Sequence, residues 1–229
     1  DTKITVPGGV SLRGPGVIPY GNSDVAPTGG AILRASQAIA GPLVQLGITA
    51  TNFGTEGAND PSFEQTNTGA TLDGIVVDGA NLADECVRPI GPRWEVRTCQ
   101  IFRGLLFGLN ATTGQNGYLK DSLVAQDNRG TCVRFSMSDN KIDRCQIRGG
   151  TDARVHIVGT ANSEIKSCHI FPNGSSEIGP DILLGGAGCD GVQINNNVFG
   201  SGAQTSSHII VDGATRLQIN NNRAYLNGL

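Results

Sequence analysis

Apolar residues recur along this chain at a nearly constant interval, and the recurrence predicts its architecture. From residue 70 onward one pattern repeats: an apolar residue, two variable residues, a small residue or Asn, one variable residue and a second apolar residue. The first positions are 24, 23, 23, 23, 29 and 25 residues apart, and they are Leu72, Val96, Leu119, Ile142, Ile165, Ile194 and Ile219. Seven copies at such regular spacing indicate a repeat protein.

The segments between these copies predict further short strands rather than helices. Each holds a second apolar run, such as Val155-His156-Ile157 or Ile182-Leu183-Leu184, and none shows a helical period. Short strands joined by tight turns, repeated in this way, describe a parallel β-helix in which coils stack at about 4.8 Å. We therefore expect an all-β solenoid with coils of about 23 residues, formed by residues 1–229 as a single domain.

Composition agrees with this architecture and excludes several others. The 229 residues include 33 Gly, and Gly costs a helix about 1 kcal/mol relative to Ala, which argues against a helical bundle. A net charge of −3 lacks the basic footprint of a nucleic-acid binder. No apolar stretch is long enough for a membrane span. No CxxC pair occurs, so we do not expect a structural zinc site. No cofactor is expected either.

Small residues and Asn mark the place where each coil turns. The third position of the repeat carries Ile75, Cys99, Ser122, Cys145, Cys168, Asn197 and Asn222. The stacked Asn side chains are expected to form a hydrogen-bonded ladder. The cysteines of this column act as small apolar residues. Stacked side chains point in parallel, which suits disulfide geometry poorly, so all six thiols are expected to be reduced.

Several segments interrupt the repeat. Residues 48–70 are polar and Gly-rich and are expected to protrude from the solenoid as a loop, with shorter excursions at 110–117, 171–180 and 200–207. Loops on a rigid scaffold often carry binding sites. The last residues begin what resembles another coil, and an open solenoid end exposes unpaired strands. We therefore expect that the domain continues, that a partner caps it, or that the chain is part of a longer polypeptide.

A resemblance adds to this reading. The coils at 140–149 and 192–200 resemble coils of the pectin-lyase-like superfamily of right-handed parallel β-helices, and the start of the chain, ITVPGGVSLRGPG at 4–16, resembles its opening coils. Such openings are common in phage tailspikes and tail fibres. The resemblance implies a right-handed coil. It does not fix the activity, because the superfamily holds lyases, hydrolases, epimerases and non-catalytic binders.

One pair of carboxylates is a candidate for catalysis. When the strands are aligned coil by coil, Asp152 and Asp181 fall one coil apart, and His156 lies on the same strand as Asp152. Side chains one coil apart are about 4.8 Å from each other, which suits the paired carboxylates of glycoside hydrolysis. The alternative is that these residues are exposed polar strand positions without a chemical role.

A second set of residues is a candidate for binding a glycan. Phe102 and Phe171 take the same outward position in their coils, and planar hydrogen-bonding side chains lie near them: Gln146, Arg148 and His169. Aromatic platforms with such neighbours suit sugar rings. Alternatively, exposed apolar residues bury against neighbouring subunits, as in trimeric tailspikes. The residues concerned are Phe107, Leu183 and Ile210.

These observations favour a tailspike-like or tail-fibre-like domain that binds a host surface polysaccharide, with cleavage of that polysaccharide left open. The expected setting is a homotrimer in a virion tail, assembled in the host cytoplasm beside other phage tail proteins. The alternatives are a secreted, stand-alone polysaccharide lyase or glycoside hydrolase, and a non-catalytic structural tail module.

Overall fold

A computed structural model describes residues 3–16, 30–48, 69–126, 129–173, 177–186, 188–200 and 207–225. All regular structure in these ranges is β-strand, with 24 strands and no helix. Each coil contributes one strand to each of three parallel sheets, and a coil has about 24 residues. The expected all-β solenoid is therefore confirmed. Within the same ranges, no helix has the length and apolar character needed to cross a membrane.

The three sheets contain eight strands each. Sheet A consists of β1 (Ile4–Val6), β4 (Ile39–Leu46), β7 (Ala83–Pro89), β10 (Phe107–Ala111), β13 (Thr131–Phe135), β16 (Ala153–Val158), β19 (Ile182–Gly185) and β22 (Ile209–Val211). Sheet B consists of β2 (Ser11–Arg13), β5 (Thr71–Asp73), β8 (Glu95–Arg97), β11 (Tyr118–Lys120), β14 (Lys141–Asp143), β17 (Glu164–Lys166), β20 (Gln193–Asn195) and β23 (Gln218–Asn220). Sheet C consists of β3 (Ala31–Arg34), β6 (Ile75–Asp78), β9 (Gln100–Phe102), β12 (Leu123–Gln126), β15 (Gln146–Gly149), β18 (His169–Phe171), β21 (Val198–Phe199) and β24 (Arg223–Ala224).

The strand register reproduces the sequence repeat. All seven first-position residues pair with their equivalents one coil away in sheet B. The second apolar position forms a similar column in sheet C, where Val124 lies between Ile101 and Ile147. Each of these three side chains is fully buried. The core is thus a set of aliphatic columns along the axis, which is why so few aromatic residues suffice.

A left-handed residue turns the chain from sheet B to sheet C. The residue just before the third repeat position has a positive φ in every coil from Gly74 (65°) to Asn221 (55°). The expected Asn ladder follows this turn. Asn197 Oδ1 accepts a hydrogen bond from the backbone N–H of Cys168 at 2.9 Å, and Asn222 Oδ1 accepts one from that of Asn197 at 2.9 Å.

The six cysteines are all buried, and none is in a disulfide. Burial raises the pKa of the Cys86 and Cys99 thiols to about 12. Such thiols are poor nucleophiles and behave as small apolar side chains. This agrees with the expectation of reduced cysteines in a packed column.

The predicted excursions are described only in part. Residues 49–68 of the expected 48–70 loop and residues 201–206 lie outside the described ranges. The excursion at 110–117 is a packed turn: its backbone at Gly114 and Gly117 closes on Asn140 and on the buried indole of Trp94. This excursion therefore belongs to the solenoid wall.

Candidate functional site

The outer face of sheet A carries a row of polar side chains, one from each of four successive coils. Strand alternation turns one residue of each coil into the core: Val87, Leu109, Val133 and Val155. The next residue in each strand points outward, and these residues form what we call the sheet A row: Arg88, Asn110, Arg134 and His156. Asn110 lies beside Arg134, and Arg134 beside His156. Neighbours in the row are about 4.8 Å apart along the axis.

A buried carboxylate anchors one end of the sheet A row. Glu85 of β7 is only 3% exposed. It accepts hydrogen bonds from Arg88 Nε at 2.6 Å and Nη2 at 2.5 Å, and from Asn110 Nδ2 at 2.8 Å. The paired bonds to Glu85 raise the pKa of Arg88 above its ordinary value. This bidentate ion pair holds the Arg88 guanidinium in place and compensates its charge.

Arg134 lies in the middle of the row and has no such carboxylate partner among the described residues. Its guanidinium lies over the ring of Phe107, 5.5 Å from the ring centroid, in a cation–π arrangement. Burial lowers the pKa of the neighbouring His156, and the Arg134 charge lowers it further, against a smaller raising effect of Asp152. His156 is therefore neutral at pH 7. Among the described residues, Arg134 is the one member of the sheet A row with a charge that no ion pair compensates.

Two atoms of the row are buried without a hydrogen-bond partner in the described part of the chain: Asn110 Oδ1 and Arg134 Nε. The hydroxyl of Ser136, two residues beyond Arg134, is also buried without a hydrogen-bond partner among the described residues. Most buried polar groups in proteins have partners, so a local group of unpaired ones requires an explanation. A ligand that supplies both a donor and an acceptor would satisfy them.

Sheet B offers a contrast, because the charges on its outer face pair with one another. Arg97 lies 3.0 Å from Asp73, and Lys120 lies 2.5 Å from Glu95. Arg134 forms no ion pair with any residue that the structure describes. Sheet B thus provides its own electrostatic partners, whereas Arg134 of sheet A has none among the described residues.

Asp152 and Asp181 lie one coil apart, as expected, but not side by side. Asp152 is exposed and lies just before β16. Since Val155 lies beside Ile182, Asp181 lies beside Arg154, two residues beyond Asp152 in the chain. The expected spacing of about 4.8 Å between the two side chains is corrected accordingly, and their catalytic role stays a prediction. His156 stays near Asp152, on the outer face of sheet A.

Asp181 lies instead in a buried ionic cluster. It is fully buried, 2.5 Å from His208 Nδ1 and 3.7 Å from Arg154 Nε. The His208 ring stacks on the core residue Phe199 at a centroid distance of 5.5 Å. The carboxylate therefore faces the inside of the solenoid. Arg154 is also held by the main-chain oxygen of Glu177 at 2.7 Å, so the cluster fastens the segment that leads into β19.

The five predicted glycan-binding residues all lie on the outer face of sheet C. Gln146 is beside His169, and Arg148 is beside Phe171. The rings of His169 and Phe171 are in contact, with centroids 4.5 Å apart. Phe102 lies two coils from Arg148, since Ala125 separates them in the register.

Accessibility divides this group of five. His169 is exposed, Phe102, Gln146 and Phe171 are half-buried, and Arg148 is only 5% exposed. Two outward residues of β12 between these coils, Leu123 and Ala125, are 1% exposed. The five residues share one face, but that face is not an open platform along its length.

Sequence reasoning missed most of the sheet A row. Arg88, Asn110, Arg134 and His156 are separated by 22, 24 and 22 residues, which is the repeat interval. Each of them directly follows the inward-facing residue of the second apolar run in its coil. An alignment of these positions coil by coil would therefore reveal the row. Glu85 leaves no such signal, because its burial depends on contacts across coils.

Among the described residues, no group of three or more His, Cys, Asp or Glu side chains lies close enough to hold a metal ion. Nothing tests the expectation that the chain needs no cofactor, and it stays a prediction.

Comparison with known proteins places the fold. No curated protein and no solved structure matches the chain. A family model described as a right-handed β-helix region matches residues 73–228. This span exceeds half of the sequence and includes the entire sheet A row. The chain therefore belongs to the right-handed β-helix family.

Proposed function

We propose that the chain binds an extended surface polysaccharide along the sheet A row. The observation that carries the proposal is the line of planar hydrogen-bonding groups, with Asn110 Oδ1 and Arg134 Nε still unpaired. From Arg88 to His156 the row spans three coil spacings, about 14 Å. The Phe107 ring beside it adds an apolar surface. A polymer of hydroxyl-bearing rings offers repeated donors and acceptors along such a line.

Binding without cleavage fits this face better than hydrolysis. Glu85 and Ala153 share one register column and are three coils apart, which is about 14 Å. Asp152, the other carboxylate near the row, comes just before Ala153. Glycosidases hold their two carboxyl groups about 5–9.5 Å apart. Glu85 is also fully occupied by Arg88 and Asn110, and Asp181 faces the interior.

The test compares matched variants on two faces. Wild-type protein and two variants are applied to an array of bacterial surface polysaccharides. Arg134→Ala is expected to weaken binding about tenfold or more, since a hydrogen bond to a charged group contributes about 1.5–3 kcal/mol. Lys141→Ala removes an exposed cation of sheet B and is expected to leave binding unchanged. Equal binding by all three proteins would refute the proposal.

Cleavage has a separate readout. A polysaccharide that binds is incubated with the protein, and its chain length is followed by size-exclusion chromatography. Unchanged length is the expected result. Shortened chains would show a depolymerase and would favour the lyase or hydrolase alternative.

We further propose that the polysaccharide is a host receptor and that the chain works as a homotrimer in a phage tail. The opening at residues 4–16 supports this setting, because such openings are common in phage tailspikes. Two exposed apolar side chains at sheet A, Leu106 at 51% and Ile210 at 38%, suit burial against another subunit. Light scattering at micromolar concentration tests it. A trimer is expected, and a monomer would favour a stand-alone secreted protein.

A further inference from the structure

Of the two unpaired atoms in the sheet A row, one requires a hydrogen-bond donor and the other requires an acceptor. The Glu85 carboxylate only accepts hydrogen bonds, so the Asn110 amide must turn its Nδ2 donor toward Glu85. Oδ1 of Asn110 then points away from Glu85 and is left as an acceptor without a donor. Nε of Arg134 is a donor without an acceptor. Asn110 is 4% exposed, so the unmet acceptor is well inside the surface.

We infer that the pair Asn110–Arg134 takes a hydroxyl group of a neutral sugar and discriminates against a carboxylate. The inference rests on the proposed function and names the ligand class at that site. Asn110 and Arg134 are register neighbours in adjacent strands. One hydroxyl can donate to Asn110 Oδ1 and accept from Arg134 Nε at the same time. A carboxylate can accept from Arg134 but has no proton for Asn110.

The nearby charges do not decide between the two groups, because Arg88 already matches the Glu85 charge and Arg134 attracts a carboxylate as well as a hydroxyl. The Asn110 acceptor decides. A carboxylate would leave Asn110 Oδ1 facing a second acceptor in a water-poor place, where an unmet polar group is costly. The Arg134 side chain is half-exposed and packs on Phe107, so it can move aside to admit a sugar ring.

The experiment uses pairs of polysaccharides that differ only at the acidic group. Neutral and uronic-acid-containing bacterial polysaccharides are arrayed, and each acidic one is also presented after chemical reduction of its carboxyl groups to hydroxymethyl groups. Wild-type protein is expected to bind neutral and reduced forms about tenfold more tightly than the acidic forms, because a carboxylate leaves the buried Asn110 Oδ1 without a donor. Binding is expected to depend weakly on salt.

A charge-conserving variant distinguishes hydrogen bonding through Arg134 Nε from attraction by the Arg134 charge alone. Arg134→Lys keeps the positive charge but removes Nε, and it is expected to lose about tenfold in affinity for the neutral form. Tighter binding of native acidic polymers, retained by Arg134→Lys and abolished by salt, would overturn the inference while leaving the sheet A row as the site. Wild-type binding by both Arg134→Lys and Asn110→Ala would overturn the proposed function as well. Unchanged circular dichroism and thermal midpoints confirm that the variants are folded.

Discussion

Replacing Asn197 with Ala removes three hydrogen bonds from the interior of the solenoid. Asn197 is fully buried. Its Oδ1 accepts from the Cys168 N–H at 2.9 Å, and its Nδ2 donates to the Ile165 carbonyl at 3.0 Å and to Asn222 Oδ1 at 3.0 Å. The substitution leaves a buried N–H and a buried C=O without partners. At about 1–3 kcal/mol for each, Asn197→Ala is expected to lower the free energy of unfolding by about 2–6 kcal/mol.

The chain itself supplies the matched control. Ser122 occupies the same column, and its Oγ accepts a hydrogen bond from the Cys99 N–H at 3.1 Å. Asn197→Ser should therefore keep a partner for the equivalent N–H and cost about half as much. Urea unfolding followed by circular dichroism measures both variants against wild type. A loss below about 0.5 kcal/mol for Asn197→Ala, within the range of ordinary surface substitutions, would refute the role of the ladder. Equal losses for both variants would refute the proposed acceptor role of Ser.

Three further predictions follow from single contacts. In Gly117→Ala, the added Cβ would lie 1.8 Å from the Trp94 indole, and a loss of about 1–3 kcal/mol is expected in thermal unfolding followed by Trp fluorescence. Hydrogen bonding from Arg216 lowers the pKa of Asp190 from 3.8 to about 2, so any stability it contributes is present above pH 3.8 and is lost as the pH falls to about 2. Carboxyl NMR titration should show that Arg216→Ala returns this pKa toward 3.8. Cys86 and the other five buried thiols should react with a thiol reagent only after unfolding, and a reactive thiol in the native protein would contradict their burial.

The columns of the core could be predicted because inward positions repeat with the coil. Each inward side chain touches its equivalent one coil away, so the sequence interval is also a spatial interval. Leu72 and Ile219, the first and last members of the sheet B column, were both found in this way. The repeat also predicts the column of small residues at the turn. The residue with left-handed backbone, however, comes one position before this column, as at Asn196 (58°).

The register offset between Asp152 and Asp181 has a specific cause in one irregular coil. These two residues are 29 apart, as are Ile165 and Ile194 in sheet B. In sheet A the paired residues Val155 and Ile182 are only 27 apart. The two remaining extra residues lie between β19 and β20. Insertions therefore shift the alignment of one sheet without shifting that of the next, and hydrogen-bond register is needed to place them.

Asn110 differs from the best satisfied buried amides of the chain, although Gln126 also lacks side-chain partners among the described residues. Asn140 is fully buried, and its side chain makes three hydrogen bonds: Oδ1 accepts from Gly117 N–H, and Nδ2 donates to the carbonyls of Gly114 and Met137. Asn197 is equally well satisfied. Asn110 is nearly as buried, yet only its Nδ2 is matched. A structural amide at this position would be expected to find an acceptor and a donor, as Asn140 and Asn197 do. Asn110 lies on the outer face of sheet A, which is the side from which a ligand arrives.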